Sequence, residues 1–222
     1  MSALTGRDVW VFDLDNTLYP ADHTIFAAIG ERMTGYIARH LGIDHDAALT
    51  LRERYLDTYG ATVIGLVRNH GVDATDFLAE VHDVAVDGVS PDPDLAALIA
   101  ALPGRRLVFT NGARDYAHRI IARLGLNDAF ERIVALEDVD LAPKPEPRAF
   151  ERLIALCGFD PRRAVMFEDH ARNLEPAAAL GFATVLVGAG GGAPYVDFAT
   201  PRLHPFLRTL AAPRIDPTGV SP

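Results

Sequence analysis

Three stretches of the chain are apolar without interruption, and each stops at polar or acidic residues. Val9-Trp10-Val11-Phe12 runs into Asp13, Leu107-Val108-Phe109 into Thr110-Asn111-Gly112, and Ala164-Val165-Met166-Phe167 into Glu168-Asp169. A strand with one wetted face alternates polar and apolar positions. These do not, so each is expected to be buried on both faces, as in the middle of a parallel sheet. Ile133 to Leu136 and Thr184 to Val187 read as two further strands.

Helical periodicity fills the intervals. In Ser90-Pro91-Asp92-Pro93-Asp94, Asp92 can cap a helix and Pro93 suits its first turn, with Leu95, Leu98, Ile99 and Leu102 following at helical spacing. Arg114 to Leu124 and Pro147 to Leu156 predict two more helices, the second stopping near Gly158. Strands alternating with helices predict an α/β fold, a doubly wound parallel sheet. Ligands of such sheets sit beyond the carboxyl ends of the strands, where the polar residues that end these three would meet.

Between Tyr19 and about Asp87 the rhythm changes. Phe26, Ile29, Met33 and Ile37 recur at helical spacing, then Leu49, Arg52, Tyr55, Leu56 and Tyr59. Val63 to Val67 and Phe77 to Val84 add helical stretches, with Gly42, Gly60 and Gly71 as stops. The predicted organisation is an α/β core over 1–18 and 88–222, with a small all-helical domain of residues 19–87 inserted after the first strand. The run from Gly188 to Gly192 lacks the lysine and spacing of a phosphate-binding P-loop and reads as a flexible turn.

Composition narrows the function classes. The 222 residues carry a formal charge of −9, which argues against a nucleic-acid binder; a small anionic substrate in a cleft stays open. The single cysteine, Cys157, allows no intramolecular disulfide, suits a reducing compartment, and reads as a small buried apolar residue. The apolar run at Val9 to Phe12 is far too short for a signal peptide or a membrane span, so a soluble cytoplasmic protein is expected, monomer or homodimer.

The strand ends carry the candidate chemistry. Asp13 at a strand tip could attack a phosphorus atom, and Asp15 could protonate the leaving oxygen and then deprotonate a water. Alone, Asp-x-Asp equally suits a solvated turn. Thr110 and Asn111 offer a hydroxyl and an amide to phosphoryl oxygens, and Gly112 allows a close backbone approach. Lys144 stands among Pro143, Pro145 and Pro147, a stiff segment able to aim an ammonium group. Asp13, Asp15, Glu168 and Asp169 on one edge would be untenable against Lys144 alone. Carboxylates without ligand-spaced cysteine or histidine favour Mg2+ over zinc.

Together these residues resemble the haloacid dehalogenase-like superfamily: Asp13/Asp15/Thr17, then Thr110, Lys144 and Glu168/Asp169, in order over nearly the whole chain. The resemblance implies that Asp13, the backbone carbonyl of Asp15, and Asp169 hold Mg2+, with Glu168 assisting. It also implies a helical cap over the site, and phosphoryl contacts from Lys144, Thr110 and backbone amides near Leu14 and Asn111. Where many relatives carry a second acid four residues after Asp169, this chain has Asn173, a residue for the outer sphere of the metal; His170 stands beside the metal acid. More narrowly, Phe12 to Pro20, the stretches at Tyr59-Gly60, Asn69-His70-Gly71 and Val81-His82-Asp83, and the run Phe167 to Leu174 are similar to pyrimidine 5′-nucleotidase-type members. That likeness implies a phosphatase of pyrimidine nucleoside 5′-monophosphates acting through an aspartyl-phosphate. His23, Arg68, His70 and His82 are candidates for the substrate side of the cap, although solvated positions suit them as well. The alternatives are a phosphoglycolate or sugar-phosphate phosphatase or phosphomutase, a dehalogenase, and, outside enzymes, a phospho-acceptor signalling domain.

Overall fold

The computed structural model describes residues 4–20, 23–189 and 192–211. Six strands form one parallel sheet: β1 (Val9–Phe12), β2 (Arg105–Phe109), β3 (Arg132–Val134), β4 (Ala164–Glu168), β5 (Ala183–Val187) and β6 (Phe198–Thr200), in the order β3-β2-β1-β4-β5-β6. The uninterrupted apolar strands occupy its centre, and β1, β4 and β5 are buried along their whole length. Phe12 pairs with Val108 on one side and Phe167 on the other, and its ring stacks on that of Phe167 at 4.5 Å. Trp10 pairs with Arg106 and Val165 on the same two strands and donates from its indole N–H to the Pro103 carbonyl at 2.7 Å.

The chain leaves β1 to build one half of the sheet and returns at β4 to build the other. The order therefore reverses at β1, and the crevice this opens lies over its carboxyl end. Helices α5 (Pro93–Ala100), α6 (Arg114–Leu124), α7 (Pro147–Cys157), α8 (Ala171–Leu180) and α9 (Leu203–Ala211) belong to this part of the chain. The Asp92 carboxylate accepts from the Leu95 N–H at 2.9 Å and caps α5, the role its position suggests.

Between β1 and β2 stand α1 (His23–Leu41), α2 (His45–Tyr59), α3 (Thr62–His70) and α4 (Ala74–Val81), with no strand among the described residues there. Asp44 and Asp73 cap α2 and α4. The α2–α3 contact is tight enough to exclude a side chain at Gly65, where a Cβ would lie 2.2 Å from Tyr55 Cγ. The last of these helices ends at Val81, short of the expected Val84, and His82 caps it.

Other boundaries also differ from the sequence pattern. The strand expected at Ile133 to Leu136 stops at Val134, because Leu136–Val139 closes into a 3-10 turn in which Asp138 accepts from the Ala135 N–H at 2.9 Å. β6 and α9 were not foreseen. Of the glycine-rich turn, residues 190 and 191 lie outside the described residues. Among the described residues no helix is long and apolar enough to cross a membrane, and Cys157 is buried.

Candidate active site

Parallel pairing brings the ends of β1, β2 and β4 side by side, so Asp13, Thr110 and Glu168 meet above the sheet although they are far apart in sequence. Lys144 reaches them from the proline-rich loop and is 1% exposed. Its Nζ donates to Asp13 Oδ1 at 2.7 Å, Glu168 Oε2 at 2.7 Å and the Phe109 carbonyl at 2.9 Å. Burial alone would pull the ammonium below its ordinary range. The charges of Asp13 and Glu168 outweigh that effect and hold Lys144 above its ordinary range. Burial, and then Glu168, push Asp13 up to about 6 against the pull of Lys144. Glu168 is likewise raised, chiefly by burial.

The loop that delivers Lys144 is locked by Asn111, whose side chain accepts from the Lys144 N–H at 2.8 Å and donates to the Lys144 carbonyl at 3.0 Å. The amide expected to meet phosphoryl oxygens thus braces the lysine, and Asn111 also lines the cavity. Thr110 is 2% exposed, and its hydroxyl accepts from the Gly112 N–H at 2.9 Å. A side chain at Gly112 would crowd that hydroxyl at 3.3 Å and the Tyr116 ring at 3.4 Å. The Leu14 side chain is fully buried, while its backbone N–H bonds the Asp13 carboxylate.

Asp15 is gripped in a way the sequence did not announce. Tyr19 donates to its Oδ1 at 2.5 Å and Tyr116 to the same oxygen at 2.9 Å, and the two phenol oxygens are 2.7 Å apart. Oδ2 lies on the side of Gly112, 3.8 Å from the place a Cβ would take there. Burial raises the Asp15 carboxyl to about 6; the Tyr19 hydrogen bond opposes the rise and the Asp13 charge adds to it. Tyr19 stands inside the motif, but Tyr116 is 101 residues from Asp15, and only the fold pairs them.

Carboxylate oxygens of Asp13, Glu168 and Asp169 lie within 4.8 Å of one another. All three are hard oxygen donors, the chemistry Mg2+ selects, so the residues present fit such an ion. Both oxygens of Glu168 are already engaged, by Lys144 and by the His170 N–H at 3.2 Å. Asp13, held by Lys144 and the Leu14 N–H, and Asp169 complete the set. Asn173 is 6% exposed, and its Oδ1 is buried with no hydrogen-bond partner. The His170 side chain is largely exposed, 3.8 Å from Asp169.

A cavity of about 370 Å3 joins these groups to the four-helix layer. Its walls there are mostly apolar, with Phe26, Ile29, Met33, Leu56, Phe77 and Leu78. His82 lines it too: it is buried and held at about 4 by burial, and its Nδ1 lies 3.0 Å from the Leu78 carbonyl. Arg68 and His70 do not line this cavity. Arg68 lies over the Tyr59 ring, and His70 Nε2 is 2.8 Å from the Tyr55 hydroxyl. The His23 side chain lies outside the described residues. Arg52, read from the sequence only as part of a helical repeat, does line the cavity.

The family model for haloacid dehalogenase-like hydrolases matches residues 8–181. The chain is similar to phosphate metabolism protein 8 of Saccharomyces cerevisiae, 28% identical over 197 residues; the match covers 82% of this chain but only 61% of that protein's length. It is also similar to the (S)-2-haloacid dehalogenase of Xanthobacter autotrophicus, 27% identical over 188 residues, covering 80% of this chain and 73% of the relative. A solved L-2-haloacid dehalogenase from that organism, with chloropropionic acid covalently bound, matches with a TM-score of 0.56. Its identity is 21%, over 92% of this chain and 98% of that one, a likeness of fold. Fructose-1-phosphate phosphatase YqaB of Escherichia coli is 27% identical over 182 residues, covering 79% of this chain and 93% of the relative.

Proposed function

The chain belongs to the haloacid dehalogenase-like hydrolases, and from that premise we propose that it is a Mg2+-dependent phosphatase working through an aspartyl-phosphate on Asp13, with pyrimidine nucleoside 5′-monophosphates as substrates. Relatives of both chemistries surround it, dehalogenases and phosphatases. The observation that favours phosphoryl transfer is Asp15, two residues from Asp13, with one oxygen fixed by two phenols and the other turned to the cavity side. Displacing a halide needs no proton donor at that place; releasing an alkoxide does.

With Oδ1 of Asp13 held by Lys144, attack on phosphorus is assigned to Oδ2. The Asp13–phosphorus bond forms as the ester oxygen departs, and Asp15 gives that oxygen its proton. Asp15, now ionised, takes a proton from the water that cleaves the acyl-phosphate. The Thr110 hydroxyl and backbone N–H groups near Asn111 orient the phosphoryl oxygens, while Lys144, whose three N–H groups bond Asp13, Glu168 and the Phe109 carbonyl, and the Leu14 N–H, which bonds Asp13, hold the nucleophile and add positive charge beside it. Asp13, the Asp15 carbonyl and Asp169 would hold Mg2+, which would supply positive charge against the carboxylates and the phosphoryl group.

Helices α1 to α4, read as a cap over residues 19–87, close on the leaving group and exclude water. The apolar character of their side of the cavity supports a planar base over a hydroxyl-rich sugar. The fructose-1-phosphate phosphatase relative supports the competing sugar-phosphate reading. A screen of UMP, CMP, AMP, GMP, phosphoglycolate and hexose phosphates, with Mg2+ and with EDTA, decides between them. UMP and CMP should lead by about tenfold in kcat/KM, EDTA should silence turnover, and Asp13→Asn should be inert though folded. A tenfold preference for phosphoglycolate or a hexose phosphate defeats the nucleotidase reading; full activity after chelation defeats the metal.

A further inference from the structure

The cavity wall formed by the four-helix layer contains one guanidinium, that of Arg52, and no carboxylate within ion-pair distance of it among the described residues. It is fixed in place: Nη1 donates to the Gly30 carbonyl at 2.6 Å and to the Thr34 hydroxyl at 3.0 Å, and Thr34 is 1% exposed. The site is shaped around it, since a Cβ on Gly30 would come within 2.8 Å of Nη1. Only Nη1 is used in this cradle, so Nε and Nη2 keep their donors. A cation anchored on an apolar wall with donors to spare is a group waiting for an acceptor oxygen.

We propose that Arg52 is the specificity-determining residue of the site, donating to an sp2 oxygen at the far end of the leaving group. This rests on the nucleotidase reading, which makes that oxygen the O2 carbonyl of a pyrimidine base. Uracil and cytosine both carry it beside an apolar ring face that Phe26, Met33 and Leu56 can cover. Adenine has no carbonyl oxygen at all.

The test compares the wild-type protein with Arg52→Met and Arg52→Lys on UMP, CMP, AMP and phenyl phosphate, with Mg2+ present and folding checked by thermal unfolding. Arg52→Met should lose on the order of 10- to 100-fold in kcat/KM on UMP and CMP, expressed mainly in KM. Its loss on AMP and phenyl phosphate, which lack the acceptor, should be at least fivefold smaller. Arg52→Lys should recover part of the loss on UMP and CMP alone. A uniform loss across all four substrates, or no loss on any, overturns the proposal. The substrate ranking of the wild-type protein separately judges the nucleotidase reading. Should phosphoglycolate lead that ranking, its carboxylate becomes the acceptor, and the same ratio against phenyl phosphate decides whether Arg52 reads it.

Discussion

Lys144 shows how one residue organises the site. A fully buried ammonium is tolerated because three oxygens take its three protons. That geometry also fixes the orientation of the Asp13 carboxylate. The tyrosine pair does the same for Asp15, and the arrangement can be tested. Tyr116→Phe keeps the ring that packs against His82 at 5.3 Å but removes one of two donors to Oδ1. Turnover of alkyl phosphates such as UMP should fall about tenfold, while an activated aryl phosphate, whose leaving group needs no proton, should lose far less. An equal fall on both would reduce Tyr116 to packing. Asp13, Asp15, Lys144, Glu168 and Asp169 were legible because each ends a strand or sits in a stiff loop. Tyr116 and Arg52 were not: a tyrosine or an arginine at helical spacing carries no mark of the cavity it faces. The brace that the Asn111 side chain gives the Lys144 loop was not legible either, because an amide looks the same in sequence whether it meets a ligand or a backbone.

At the scale of elements, the buried strands were legible from their unbroken apolar runs. β6 escaped because it is short and only partly buried, with Thr200 its one buried residue. The α2–α3 contact depends on the missing side chain of Gly65, which no periodicity reveals. Gly65→Ala should destabilise the protein by about 1–3 kcal/mol through overpacking against Tyr55. It should also slow hydrolysis, since these two helices carry cavity residues; an unchanged melting temperature would show that Tyr55 simply moves aside. His82, at the end of α4, gives this layer a pH dependence. Burial lowers its pKa from the ordinary 6.5 of a histidine to about 4 in the folded protein. Above pH 6.5 neither state holds the extra proton. Between 6.5 and about 4 the unfolded chain binds it first, so stability is lost as pH falls, by about 3 kcal/mol in all. Asp13 and Asp15, both raised to about 6, act in the opposite sense over part of that window. The contribution of His82 is therefore read as a difference: wild type should lose stability relative to His82→Gln between pH 7 and pH 4 in denaturant titrations. Parallel curves would place His82 in water.

Over the whole molecule, function follows from the order of the sheet. The sequence pattern implied parallel strands with their polar ends together, and only the reversal at β1 determines that Asp13 stands between Thr110 and Glu168. The helical layer contributes the apolar half of the cavity; its position over the site was implied by the family resemblance, while helical periodicity alone carries no sign of which face meets the core. The single tryptophan of the chain, Trp10, belongs wholly to the sheet, hydrogen-bonded to Pro103 and 6.4 Å from the Phe167 ring. Its fluorescence is thus a probe of one half of the protein. The layer of α1 to α4 contains no tryptophan of its own, so it can loosen or melt while the emission spectrum stays native. Circular dichroism, which counts every helix, would register that event, and the gap between the two signals measures how independently the halves unfold.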